Sequence, residues 1–187
     1  MRILLLRPCP DDLRFGLAPF FQTEPLGLMY VAAVIRPLGH QVELADMRFD
    51  SRTIDSIVRA GCPDLVAISC LHILEVPAAL RLADRIKACN PKIFVAIGGH
   101  AVSAYPQAIE NHGSIDAICI GEGETLMPRL CEALACGRSL DTVPSLLLRG
   151  ADGKFQATPA EPRKWVNFDN SPLPDRSLVA RYQKRYC

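Results

Sequence analysis

The chain has 187 residues, a net charge of +1 and a mean hydropathy of +0.14, with 49% hydrophobic and 22% charged residues. That length and balance support one folded domain with a real core, and they exclude a disordered chain. The near-zero charge provides no field for nucleic acid or a membrane surface, so neither is expected as a partner.

The opening run Arg2 to Arg7 reads as a strand, and Pro8 cuts it short of any membrane span; no signal-peptide pattern follows. Pro8 to Thr23 reads as a long loop containing Phe15, Leu17, Phe20 and Phe21, apolar side chains expected to cover a ligand or meet a partner. Pro25 to about Ile35 is predicted as a helix with Leu26, Met29, Tyr30 and Ala33 on one face, stopped by Pro37 and Gly39. Gln41 to Ala45 is a second strand, Thr53 to Ala60 a helix, and Asp64 to Cys70 a third strand. Glu75 to Ala88 is a helix with Pro77 in its first turn and Val76, Leu80, Ala83 and Ile86 toward the core. Lys92 to Ile97 forms a fourth strand, rich in β-branched and aromatic residues as a strand covered on both faces should be, and it ends in Gly98-Gly99. A short helix is expected after Pro106. Asp116 to Ile120 is a fifth strand, ending in Gly121-Glu122-Gly123-Glu124, and Thr125 to Ala135 is a helix.

Strands alternating with helices imply a parallel sheet with right-handed crossovers. The expected architecture is α/β and flavodoxin-like, a five-stranded sheet of order 2-1-3-4-5 occupying residues 1–140. Residues 141–187 then hold a hairpin, Ser145–Arg149 with Lys154–Ala157 about Asp152-Gly153, a proline-rich linker from Thr158 to Arg176, and a final helical stretch, Leu178 to Cys187, read as the start of a following domain.

In such a sheet ligands bind beyond the carboxyl ends of the strands. The loops gathered there start at Pro8, Ser69 and Gly98, with Gly121-Glu122-Gly123-Glu124 closing the far side. No phosphate-binding G-x-x-x-x-G-K-[ST] is present, and no G-x-G-x-x-G follows the first strand. The first loop lacks the Ser, Thr and Gly of a flavin phosphate site, and Ser69 stands where a receiver domain carries Asp. Eight cysteines, at 9, 62, 70, 89, 119, 131, 136 and 187, form no C-x-x-C pair, so no zinc site is expected. Cys70, Cys119 and Cys131 sit in apolar runs as buried thiols, consistent with a reducing cytoplasm.

Ser69-Cys70-Leu71 ending the third strand and Gly98-Gly99 ending the fourth resemble the pattern of cobalamin-binding domains. The resemblance implies that the nucleotide tail of base-off cobalamin slides into the sheet edge, where the glycines make room. Members that ligate cobalt through the first loop carry D-x-H-x-x-G; Asp12-Leu13-Arg14-Phe15-Gly16 is the nearest match, one residue short, with Arg14 in the histidine's place. Glu24 to Tyr30, Gly39 to Val42, Pro63 to Ser69, Gly98-Gly99-His100, Gly121 to Glu124 and Pro172 to Arg176 are similar to the amino-terminal domain of cobalamin-dependent radical SAM enzymes. Arg7 to Asp11 with Phe20 to Glu24 further resembles hopanoid methylases.

For this chain the resemblance implies a cofactor site drawn from Pro8, Cys9, Leu26, Gly27, Ser69, Cys70, Leu71, His72, Gly98, Gly99, His100, Gly121, Glu122, Gly123 and Glu124, with no catalytic residue and no metal ligand. It also implies a following radical SAM domain with a 4Fe-4S cluster and S-adenosylmethionine. The C-x-x-x-C-x-x-C motif of that domain is absent from these residues. In the family, S-adenosylmethionine methylates the cobalt and a substrate radical takes the methyl. A nucleotide- or sugar-nucleotide-binding half domain, and a cofactor-free receiver-like module, remain alternatives on the residues alone.

Overall fold

A computed structural model describes residues 1–11, 22–109, 112–161, 169 and 171–187. The first-loop residues Asp12 to Phe21, with their four apolar side chains and Arg14, lie outside the described residues.

Five parallel strands form the centre: β1 (Arg2–Arg7), β2 (Gln41–Asp46), β3 (Leu65–Ser69), β4 (Phe94–Gly98) and β5 (Ala117–Cys119), in the expected order 2-1-3-4-5. The sheet does not stop there. β6 (Leu146–Arg149) pairs antiparallel with β5, and β7 (Phe155–Ala157) pairs antiparallel with β6, giving seven strands. The hairpin read from the sequence exists, but it continues the sheet. β5 would otherwise be an open edge, and its backbone groups find partners in β6. At the hairpin's tip, Gly153 takes φ 78°.

Each strand alternates its side chains between two cores. Ile3, Leu5, Leu44 and Leu65 join one cluster with α1 (Leu26–Ile35) and α5 (Gly123–Ala135). Leu4, Leu6, Val66, Ile68, Val95 and Ile97 join the other with α2 (Ile54–Gly61), α3 (Val76–Cys89) and α4 (His100–Ala104). Such double-sided burial explains the unbroken apolar runs of the strands.

Three details differ from the sequence expectations. In α1 the buried residues are Leu28, Met29, Val31, Ala32 and Ile35, whereas Leu26 is 45% exposed. The helix is apolar nearly all round, so its periodicity selects no face; the sheet and α5 do. The short helix begins at His100, ahead of Pro106, because Gly99 at φ 108° turns the chain at once; Pro106–Ala108 form a 3-10 turn. β5 is shorter than Asp116 to Ile120. The Asp116 carboxylate accepts the Val95 N–H (2.7 Å) and Lys87 Nζ (2.6 Å), tying the strand's entrance by a side chain. In α3 the expected face is found, with Val76, Ala83 and Ile86 buried and Leu80 half-buried.

The terminal stretch forms 3-10 turns over Arg176–Arg185. Its Val179 (2% exposed) and Tyr182 (4%) belong to the α1-side core.

Candidate functional site

On the α1 side of the sheet, side chains shrink toward the carboxyl edge. β3 presents Leu65, then Ala67, then Ser69; β4 presents Phe94, Ala96 and Gly98; β5 presents Ala117 and Cys119. The opposite face of the same strands carries Val66, Ile68, Val95, Ile97 and Ile118. A uniformly filled core would not need that asymmetry. It opens a slot of about 600 Å³ between the sheet and the two helices, lined by Leu28, Val31 and Met127 opposite Ala67, Ala96, Gly98 and Cys119. Gly27, Ser69, Gly99, Gly121, Gly123 and Glu124 form its mouth.

The two central glycines serve different ends. A Cβ on Gly98 would meet Cys119 Cβ at 3.3 Å, on the slot side, so its absence keeps the slot open. A Cβ on Gly99 would lie 2.8 Å from the Cys70 carbonyl carbon, and the residue sits at φ 108°, ψ 173°, a conformation essentially confined to glycine. Gly98 thus turns its missing Cβ toward the slot, whereas Gly99, which also lines it, answers to the backbone of the neighbouring loop. Gly123 is a third close approach, its Cβ position falling 2.8 Å from Val31 Cγ2 where α5 crosses α1.

A second hollow, about 760 Å³, adjoins the slot through Gly27, Leu28 and Ser69. Its wall is Arg7, Thr23, Glu24, Pro25, Leu26, Leu71 and Glu75. Glu75, 6% exposed, accepts the N–H groups of Leu71 (2.6 Å) and His72 (3.2 Å) and so ties the loop after β3 to the start of α3. Arg7 donates to the Thr23 carbonyl (3.0 Å); burial, and the charge of Arg48, push its pKa down, while Asp46 and Glu75 oppose that. The hollow thus offers a guanidinium, a carboxylate and apolar walls, a set suited to a large flat ligand carrying amide groups.

The expected site residues divide by position. Gly27, Ser69, Gly98, Gly99, Gly121, Gly123 and Glu124 line the slot; Leu26 and Leu71 line the hollow. Burial raises the Glu124 pKa, the Glu122 charge adds to it, and a backbone hydrogen bond opposes both. Glu122 lines a separate cleft of about 1030 Å³ on the β5–β6 side. Cys70 is fully buried in the α3-side core, its thiol pushed up to about 12 by burial and by Glu75, and it faces away from the slot. Pro8 is buried, and Cys9 points its thiol at the Pro10 carbonyl 3.7 Å away; neither borders the two hollows. His72 and His100 are exposed. His72 Nδ1 accepts the Leu74 N–H at 3.2 Å, capping the turn that leads into α3. Sequence reasoning passed over Ala67, Ala96, Cys119, Met127 and Glu75. The small residues at every second position of Leu65–Ser69 and Phe94–Gly98 were a readable signal for the first two.

A family model described as the B12 binding domain matches residues 17–131, more than half of the chain. The chain belongs to the B12-binding domain family. Among curated relatives, this B12-binding domain is 32% identical to the hopanoid C-3 methylase of Methylococcus capsulatus over 174 residues, covering 89% of this chain and 32% of that protein. It therefore spans about a third of that relative's length. Among solved structures, the cobalamin-dependent S-adenosylmethionine radical enzyme OxsB, with aqua-cobalamin and S-adenosylmethionine bound, aligns with a TM-score of 0.76 at 23% identity, over 98% of this chain and 25% of that one. The radical S-adenosylmethionine methyltransferase TsrM from Kitasatospora setae, with cobalamin and an iron–sulfur cluster bound, aligns with a TM-score of 0.70 at 19% identity, over 92% of this chain and 31% of that one. These structures share the fold. The family assignment takes the place of the nucleotide-binding and receiver-like alternatives. No helix among the described residues is long and apolar enough to cross a membrane, and no described cluster of His, Cys, Asp or Glu has the geometry of a metal site.

Proposed function

We propose that this B12-binding domain holds cobalamin base-off, the nucleotide tail in the slot between the sheet, α1 and α5, and the corrin over the adjoining hollow. The taper of Leu65–Ala67–Ser69 and Phe94–Ala96–Gly98 carries the reading, because it makes room under the helices at the carboxyl edge and nowhere else along those strands. Leu28, Val31, Met127 and Cys119 would flank the tail by apolar contact; the backbone at Gly121 and Gly123 would come close to its polar end. Arg7, Glu75 and the Thr23 carbonyl would meet the amide groups of the ring. The bound cofactor supplies a cobalt centre able to carry a methyl group. The chain's own part is to exclude water from the tail, fix the ring's orientation and leave its outer face open.

The hopanoid methylase relative and the order of motifs through Pro172–Arg176 support a radical SAM domain in the same polypeptide as the partner of that outer face, with its own 4Fe-4S cluster and S-adenosylmethionine. In this reading residues 1–140 are the cofactor-binding unit proper, and residues 141–187 lead toward the partner domain. Eight free thiols suit a reducing cytoplasm. The test is uptake of hydroxocobalamin by the purified domain. Co-elution of protein and corrin absorbance, with the spectrum moved to the base-off form, is the expected result; free elution of the corrin would end the reading.

A further inference from the structure

Residues Thr23 to Pro25 wall the ligand hollow; with Gln22 before them they precede α1 and belong to no helix or strand. Their position is set from outside. Arg7 Nη1 and Arg48 Nη2 both donate to the Thr23 carbonyl, at 3.0 and 2.8 Å. Arg48, whose side chain is 8% exposed, is itself clamped by Asp46, which is fully buried at the end of β2: Nε to Oδ1 is 2.9 Å and Nη2 to Oδ2 is 2.6 Å. The hydroxyl of Tyr186, from the chain's last residues, donates to the same Asp46 Oδ2 at 3.2 Å. Phe49 packs between, its ring 5.5 Å from Tyr186 and 4.8 Å from the Arg48 guanidinium.

The terminal segment also reaches the lip directly. Arg176 Nε lies 3.1 Å from Glu24 Oε2, the Cys187 N–H donates to the Gln22 carbonyl at 3.2 Å, and the Asp175 N–H to the Met29 carbonyl at 3.1 Å. None of Asp46, Arg48, Tyr186 or residues 175–187 lines the slot or the hollow.

We infer that Tyr186, Asp46 and Arg48 are positioning residues for ligand binding, a relay through which the seated terminal segment holds the 22–25 lip in its binding geometry. Charge-assisted bonds in a buried setting make such a relay directional and stiff. Coupling is reciprocal: a seated tail strengthens binding by the factor by which a bound ligand steadies the tail. A partner domain attached beyond residue 187 would then sense occupancy of the hollow without touching it. The ligand's identity rests on the cobalamin reading; the relay does not.

The experiment compares the whole 187-residue chain with Arg48→Gln and Tyr186→Phe. Arg48→Gln leaves Asp46 buried without its cation and risks the fold; Tyr186→Phe removes one hydroxyl and keeps the ring. Amide hydrogen exchange of residues 22–29 is measured without ligand, and hydroxocobalamin affinity by absorbance titration. The relay predicts faster exchange at 22–29 in Tyr186→Phe, unchanged exchange in β3 and β4, and affinity weaker by roughly 5-fold, the lower end of typical coupling factors. Unchanged exchange at 22–29, or exchange rising equally in β3 and β4, would overturn it. Should the parent chain take up no hydroxocobalamin, the cobalamin reading fails, while the exchange comparison still decides the relay.

Discussion

Two adjacent glycines should respond oppositely to substitution. Gly99→Ala forces a Cβ onto the Cys70 backbone at a φ only glycine tolerates, and it should cost about 3 kcal/mol or more of stability, read by chemical denaturation. Gly98→Ala meets Cys119 Cβ at 3.3 Å, a distance a small shift relieves, and the Cys119 carbonyl oxygen at an ordinary 3.7 Å. It should leave the unfolding free energy within about 1 kcal/mol of the parent's yet weaken cobalamin uptake at least tenfold, because the added methyl narrows the slot. Equal losses of folding and uptake at Gly98 would assign it the same backbone role as Gly99. The thiols supply a second residue-scale contrast. Cys62, Cys136 and Cys187 are exposed, whereas Cys70, Cys119 and Cys131 are buried, each pushed up to about 12 chiefly by burial. A thiol reagent at pH 8 should label the first three at once and the last three only on unfolding; cobalamin should not alter the exposed set.

At the scale of elements, the β6–β7 hairpin is the addition that matters most. It pairs with β5 from Ala117 to Cys119, and Leu146 and Val143 around it are buried. A chain ended at residue 140 keeps every parallel strand but leaves β5 with an unpaired edge beneath the slot. It should aggregate or melt well below the 187-residue chain, measured by light scattering during thermal unfolding. A monomeric, equally stable 1–140 fragment would show that those residues fold as an independent unit. The hairpin itself was legible in Asp152-Gly153; its place in the sheet was not, because pairing with β5 is a long-range choice that no local spacing records.

Across the whole molecule, the tail is fastened by buried charge. Burial of Asp50 opposes its ionisation, but hydrogen bonds from Arg52 (3.0 and 2.8 Å) and Tyr182 (2.5 Å) overcome that and hold its carboxyl well below the usual carboxylate range. A depressed folded-state pKa means stability that is complete above the unfolded value near 3.8 and lost as pH falls below it toward the folded value. Asp50→Asn should therefore be less stable at neutral pH and flatten the loss of stability below pH 4, followed by thermal melts across pH. An unchanged acid slope would remove Asp50 from the fastening. Tyr182 carries the matching alkaline limb. Burial and the hydrogen bond to Asp50 push its phenol up to about 12, so its contribution is complete below pH 10 and declines toward 12.

The alternation of strands and helices, the two-sided apolar runs, the glycine turn after β4 and the motifs of the B12-binding family were all present in local order along the chain. Each depends on neighbours within a strand or turn, where spacing alone carries the physics. What tertiary packing alone decided is which face of an all-apolar α1 turns inward, that Cys70 faces the core opposite the slot, and that Gly99 yields to the Cys70 backbone. It also decided that Tyr186 reaches Asp46, 140 residues away, to steady the lip at Thr23. Those outcomes are contests between distant groups for the same buried volume or the same buried carboxylate, and they have no value until the sheet brings the competitors together.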